Sequence, residues 1–122
     1  MDYLCQDFYT LSKTFDIITA TSLLSVIEDK EQALKKLISL QKSENSTLII
    51  IEPTEKFTRK NVKKKITNFK SFWQYKGLWV WARARENKAI DPKIFDGLEG
   101  FDIEKRFFLD EMVVVWYIHL PF

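Results

Sequence analysis

Few side chains among these 122 residues are equipped for chemistry, and their positions narrow what that chemistry can be. Glu52 closes the apolar run Thr47–Ile51. A carboxylate there could serve as a general base, although a strand-end carboxylate is more often a helix cap or a solvated group. Thr19 and Thr21 bracket Ala20 at the end of a second apolar run, where hydroxyls contact a ligand or make local turn bonds. Asp7 ends the mixed stretch Tyr3–Asp7, and its plain reading is a surface aspartate closing a short strand. Cys5 and His119 are each the only residue of their kind. One thiol and one imidazole do not make a zinc site, and no acidic cluster marks a cage for a hard cation. His119 lies inside the last apolar run and is read as a structural histidine.

The net charge of +2 hides a division into three. Residues 1–55 carry five lysines against nine acidic groups, and residues 89–122 carry three Lys or Arg against seven. Between them, residues 56–88 carry eleven Lys or Arg against Glu86 alone. This middle third is where a polyanion would be drawn. The run Lys56–Lys65 is read first as a solvated helix face. Its alternative is a basic interaction module that binds nucleic acid, another polyanion or an anionic membrane surface. Aromatics follow the run, but Phe69, Trp73 and Val80 fall at helical spacing and are assigned to core packing. A single cysteine fits a reducing cytoplasm, and no apolar run approaches the roughly 20 residues of a membrane span.

The elements that must position these residues follow from periodicity. Phe15–Ala20 is predicted as a strand buried on both faces. Asp29 begins a helix as its cap, with Gln32 completing a capping-box pattern. Ala33, Leu34, Leu37, Ile38 and Leu40 form its apolar stripe, with Lys30, Glu31, Lys35, Lys36 and Lys42 on the wet side. The exit turn covers residues 43–46, where Asn45 is best suited to a left-handed conformation. Thr47–Ile51 is a second buried strand, so residues 15–55 read as a βαβ unit with a parallel sheet. Residues 56–99 read as helical, with an inward stripe Val62, Ile66, Phe69, Trp73, Gly77, Val80 and Ala84 that Gly77 could kink. Asp91 and Pro92 open a short helix. Phe101–Phe107 alternates, Leu109–Glu111 turns the chain, and Met112–Leu120 is a buried strand, making residues 100–122 an antiparallel hairpin.

The stretch FDIITATSLLSVIEDKEQALKKLISLQKSENSTLIIIEPT, with the order strand, helix, strand, long helix and final hairpin, resembles the latter half of class I S-adenosylmethionine-dependent methyltransferases. The resemblance implies a single α/β domain, a partial Rossmann-like methyltransferase sheet. In that family the sheet runs 3-2-1-4-5-7-6, with the seventh strand antiparallel beside the fifth. Phe15–Ala20 then corresponds to the fourth strand, Thr47–Glu52 to the fifth, and Phe101–Phe108 and Met112–Leu120 to the sixth and seventh. Residues 1–14 correspond to the end of the third strand and its loop. The resemblance also implies cofactor contacts. Asp7 would receive the adenine amino group, and the Phe8 amide would meet the ring edge. Thr19, Ala20 and Thr21 would lie beside the methionine moiety. Glu52 and Pro53 would lie nearer a small-molecule methyl acceptor, under a lid from the aromatic-rich region.

Three family features are missing from these residues. Neither the glycine-rich loop after the first strand nor the acidic residue that grips the ribose is present. Glu44 and Asn45 stand where a glycine pair is common before the fifth strand. The expectation is a chain equivalent to the C-terminal portion of the enzyme, inactive alone. Its fourth strand presents an open edge that pairs with a complementing N-terminal half or with another copy.

Overall fold

The computed structural model describes residues 6–64 and 72–121. Its elements are β1 (Ile17–Thr21), α1 (Lys30–Ser39), β2 (Thr47–Pro53), α2 (Arg59–Lys64), α3 (Phe72–Arg85), β3 (Asp102–Phe108) and β4 (Val113–His119). The four strands form one sheet in the order β1-β2-β4-β3. β1 runs parallel to β2, while β4 is antiparallel to both β2 and β3. The expected βαβ unit and closing hairpin are therefore present, with the last strand inserted beside β2.

Local sequence explains each boundary near the sheet's first crossover. The Asp29 carboxylate accepts the Gln32 N–H at 3.0 Å, so α1 starts where the capping pattern places it. The exit turn is built differently from the expectation. Asn45 does not take positive φ; instead the buried Ser46 hydroxyl accepts the N–H groups of Lys42 and Ser43 at 3.1 and 3.0 Å. A side-chain acceptor has replaced a left-handed residue. Gln41 fastens the same corner to β4, its amide donating to the Ser46 and Ile118 carbonyls.

α1 lays Ala33, Leu34 and Leu37 on the sheet face that carries Ala20, Leu48, Ile50, Val114, Trp116 and Ile118. Leu48, Ile50 and Ile118 are fully buried, and each such side chain contributes about 1.5–3 kcal/mol of burial free energy. The opposite face bears a second cluster of Phe57, Val62, Ala82, Met112 and Val113, with Ile51, Tyr75, Leu78, Trp79 and Trp81 packed against it. α2 and α3 cover that face only near the end of β2.

Three expectations are corrected here. β1 is buried on one face only: Ala20 is buried, but Ile17 is 68% exposed. It is an edge strand among the described residues, and nothing in the second cluster reaches it. α3 runs unbroken through Gly77. It also turns the other way, since Trp73 and Val80 are exposed and the buried or half-buried positions are Tyr75, Leu78, Trp79, Trp81, Ala82 and Arg85. Ile66 and Phe69 lie outside the described residues, as does most of the expected strand Tyr3–Asp7. The short helix after Asp91 is a 3-10 turn, Pro92–Phe95, capped by the Asp91 carboxylate. Among the described residues no helix is long and apolar enough to cross a membrane.

Leu109, Asp110 and Glu111 all take positive φ, from 52° to 66°, a conformation that costs non-glycine residues roughly 1–2 kcal/mol each. The turn is held from outside. Thr54 donates its N–H to the Met112 carbonyl at 2.9 Å and its hydroxyl to the Glu111 carbonyl at 2.5 Å, and Lys56 pairs with Glu111. The loop after β2 thus braces the hairpin next to the rim where β2 ends.

Candidate functional site

The ends of β1 and β2 lie side by side, because Thr21 is in register with Ile51. One residue later the Ser22 N–H still donates to the Ile51 carbonyl at 2.8 Å, but Ser22 takes φ 55° and the chain leaves the sheet. A left-handed serine at this point turns residues 23–27 back over the rim. Lys30 ties that loop down, its ammonium donating to the Leu24 and Ile27 carbonyls at 2.7 and 2.8 Å.

Glu52 anchors the loop from below. Its side chain is fully buried, and Oε1 accepts the Leu24 N–H at 2.8 Å. Burial pushes its carboxyl above the ordinary carboxylate range. The Leu24 amide, the Ser25 hydroxyl and amide, and the positive charge of Arg85 oppose that rise. Glu52 Oε2 has no hydrogen-bond partner, and neither has the buried Nε of Arg85. The expectation of a solvated or helix-capping carboxylate is therefore corrected: Glu52 points into the protein, where its strand face meets the loop after β1.

α3 closes the rim from the other side. Trp81 donates its indole N–H to the Ser22 hydroxyl at 3.0 Å, while its ring meets Phe57 edge-on at 4.7 Å. Ser25 donates its hydroxyl to the Ser22 carbonyl at 3.1 Å. Ser22, Ser25 and Glu52, which are buried, and Trp81 and Arg85, which are half-buried, thus gather over two parallel strand ends. Open α/β sheets place their ligands at such strand ends. Beside it, Pro53, Thr54, Ile90, Lys105, Phe107 and Trp116 line an open groove of about 170 Å³. That is below the roughly 300–1,000 Å³ of a full ligand pocket and holds part of a molecule.

The remaining sequence-derived residues are placed as follows. Asp7 is exposed and caps the 3-10 turn Phe8–Thr10, its Oδ1 accepting the Tyr9 N–H at 3.0 Å. Phe8 is half-buried, packs against the cluster under α1, and stands 4.3 Å from the Tyr9 ring. Lys36 of α1 donates to the Leu11 carbonyl at 2.5 Å, docking this segment beside the helix. Thr19 and Thr21 are exposed on β1, with Ala20 buried between them. His119 sits at the far end of the sheet, its Nδ1 3.2 Å from the Ser46 carbonyl and 3.5 Å from the Thr47 hydroxyl. The length of β2, about 20 Å, separates it from the rim. Of the basic run, Lys56 and Arg59 are engaged by Glu111 and Glu86, Lys60, Lys63 and Lys64 are exposed, and Lys65 lies outside the described residues. Among the described residues no group of three or more His, Cys, Asp or Glu gathers to hold a metal.

No family model matches the chain, and no curated protein matches it. Among solved structures it is similar to the plantazolicin methyltransferase BpumL, in its complex with a monoazolic desmethylPZN analog and SAH. The TM-score is 0.53 at 13% sequence identity, over 97% of this chain and 58% of that one. The fold is that of part of a Rossmann-like methyltransferase sheet. At this identity the likeness concerns the fold alone, and the chain spans little more than half the length of the enzyme it matches. In that methyltransferase-like frame the rim residues the sequence did not single out are Ser22, Ser25, Trp81 and Arg85. One signal could have found two of them. Trp81 and Arg85 are four apart and so share a helix face, in phase with Tyr75, Leu78 and Ala82.

Proposed function

We propose that this chain supplies the acceptor side, and part of the cofactor contact, of an S-adenosylmethionine-dependent methyltransferase acting on a small molecule. A segment carrying the glycine-rich half would complete the enzyme. The observation that carries this reading is the sheet itself, which aligns over nearly the whole chain with a methyltransferase solved with SAH.

The residues present fit the cofactor in part. Asp7, Thr19 and Thr21 are exposed, so their oxygens are reachable by a ligand. Asp7 would accept the adenine amino group and the Phe8 amide would meet the ring edge. The strand end at Thr19, Ala20 and Thr21 would flank the methionine moiety. A glycine loop and a ribose-binding carboxylate would have to come from the completing segment. Bound there, the cofactor supplies an electrophilic methyl group on a sulfonium. The chain's own task is alignment, which can supply much of the rate for a good nucleophile. The groove beside Pro53 and Trp116 would receive the acceptor, and the Ser22–Trp81 hydrogen bond would hold α3 against the rim. Glu52 keeps its role as loop anchor, and no general base is assigned.

The completing segment would pair with β1. Among the described residues β1 is bonded to β2 alone, and its exposed Ile17 leaves an apolar edge of the kind that recruits another strand. Sedimentation velocity on the purified chain tests this. Without its complement the chain is expected to self-associate reversibly, and Ile17→Lys, which puts a charge on the edge strand, is expected to shift it to monomer. Monomeric behaviour of the unaltered chain at all concentrations would refute the open edge.

A further inference from the structure

The α2–α3 pair has an outward face that the methyltransferase reading does not use. Sequence spacing assigns Trp73 and Val80 to the core, yet Trp73 is 74% exposed, Phe72 is 63% exposed, and Val80 is exposed one turn beyond Gly77. These side chains are not stray hydrophobes on an acidic surface. Lys76 holds its ammonium 5.8 Å from both the Phe72 and Trp73 ring centroids. Lys60, Lys63 and Lys64 of α2 and Arg83 of α3 are also exposed. Val62 and Ala82 pack the two helices into one cluster, so these cations and rings belong to a single helical layer.

We infer that this face binds single-stranded nucleic acid, with Trp73 and Phe72 stacking on bases and Lys60, Lys63, Lys64 and Lys76 meeting phosphates. Charge complementarity selects a polyanion: residues 56–88 carry eleven Lys or Arg, and their one acidic residue, Glu86, is already paired with Arg59. The exposed rings select unpaired bases, because a duplex hides base faces that a single strand offers. The stripe itself argues against a lipid surface. Gly77 and Ala84 alternate with Trp73 and Val80, and a side chain added at Gly77 would meet no atom within 4 Å. The apolar stripe is therefore interrupted by two small residues and offers little apolar area, on which insertion of a helix into a lipid surface depends.

The test is fluorescence anisotropy of the full chain with a fluorescein-labelled oligodeoxythymidine, with tryptophan emission read in parallel. Binding is expected at low salt, with log affinity falling against log salt at a slope of about −3 for four phosphate contacts on a single strand. Trp73→Ala is expected to weaken binding about ten-fold and to remove the quenching that binding causes in the unaltered chain, while Trp73→Phe, which loses the same emission, keeps most of the affinity because its ring still stacks. Circular dichroism should show Trp73→Ala folded, since the ring is on the surface. No binding at low salt, or equal binding by Trp73→Ala, overturns the inference. So does capture by phosphatidylserine vesicles without capture by the oligonucleotide, which would assign the face to a membrane.

Discussion

Trp116→Ala is expected to lower the stability of the chain by about 3–5 kcal/mol, a large share of the roughly 5–15 kcal/mol that holds a domain folded. Trp116 lies at the centre of β4, buried, in register with Ile50 on one side and Lys105 on the other. Its ring meets Phe95 at 4.6 Å, and Lys105 lies over it at 5.9 Å. It therefore joins α1's face of the sheet to the 3-10 turn at residues 92–95, which no strand pairing holds. Truncation removes the transfer free energy of the indole and leaves a cavity that two rigid strands cannot close. Urea unfolding would show a midpoint shifted far below that of the unaltered chain, with Trp116→Phe losing much less. A shift of under 1 kcal/mol would mean that the sheet and the turn are not joined through this ring.

Substitutions at Glu52 have the next largest expected effects, and their directions differ. Glu52→Ala strips the Leu24 N–H of its buried acceptor and empties a packed site, an expected loss of about 2–4 kcal/mol. Glu52→Gln keeps the shape and an acceptor for that N–H while removing the ionisation. Because burial raises the folded-state pKa of Glu52, its contribution is fully present below the unfolded-state pKa of about 4.3 and is lost as pH rises through the folded value. Stability is therefore expected to decline as pH rises out of the ordinary carboxylate range, and Glu52→Gln is expected to flatten that decline. Glu86 and Glu111 act in the opposite sense, because hydrogen bonds from Arg59 and Lys56 hold their carboxyls below the usual range. Glu111 is exposed and Glu86 half-buried; both carboxyls are present in the two chains, so the difference between Glu52 and its Gln variant isolates the buried group. Thermal unfolding of both chains across the acid-to-neutral range would show it. Parallel curves would mean that Glu52 is solvated in the folded chain.

The same chemistry separates what could be read from the sequence from what could not. The α1 boundary was legible because Asp29 and Gln32 encode it locally, and β4 was legible because seven consecutive apolar residues have no other home in a small domain. The order of strands followed from the resemblance, and the sheet has it. The orientation of α3 was not legible. The stripe through Trp73, Gly77, Val80 and Ala84 reads as the apolar face. Yet the side that turns inward carries Tyr75, Leu78, Trp79, Trp81 and Ala82, which pack with Phe57, Val62, Met112 and Val113, and Trp81 also donates to the Ser22 hydroxyl. The partners that decide the orientation are distant in sequence. The burial of Glu52 was hidden for the same reason, since its acceptor role depends on the Leu24 amide, 28 residues away.

The most direct test of the central claim is an amide-resolved NMR titration of the chain with S-adenosylhomocysteine. The expected result is weak, saturable binding with shifts concentrated at Asp7 and Phe8, at Thr19–Ser22 and at Leu24, which reports on Glu52. Saturation without shifts at the β1 rim, or no shifts at any concentration, would contradict a methyl-transfer site at these strand ends.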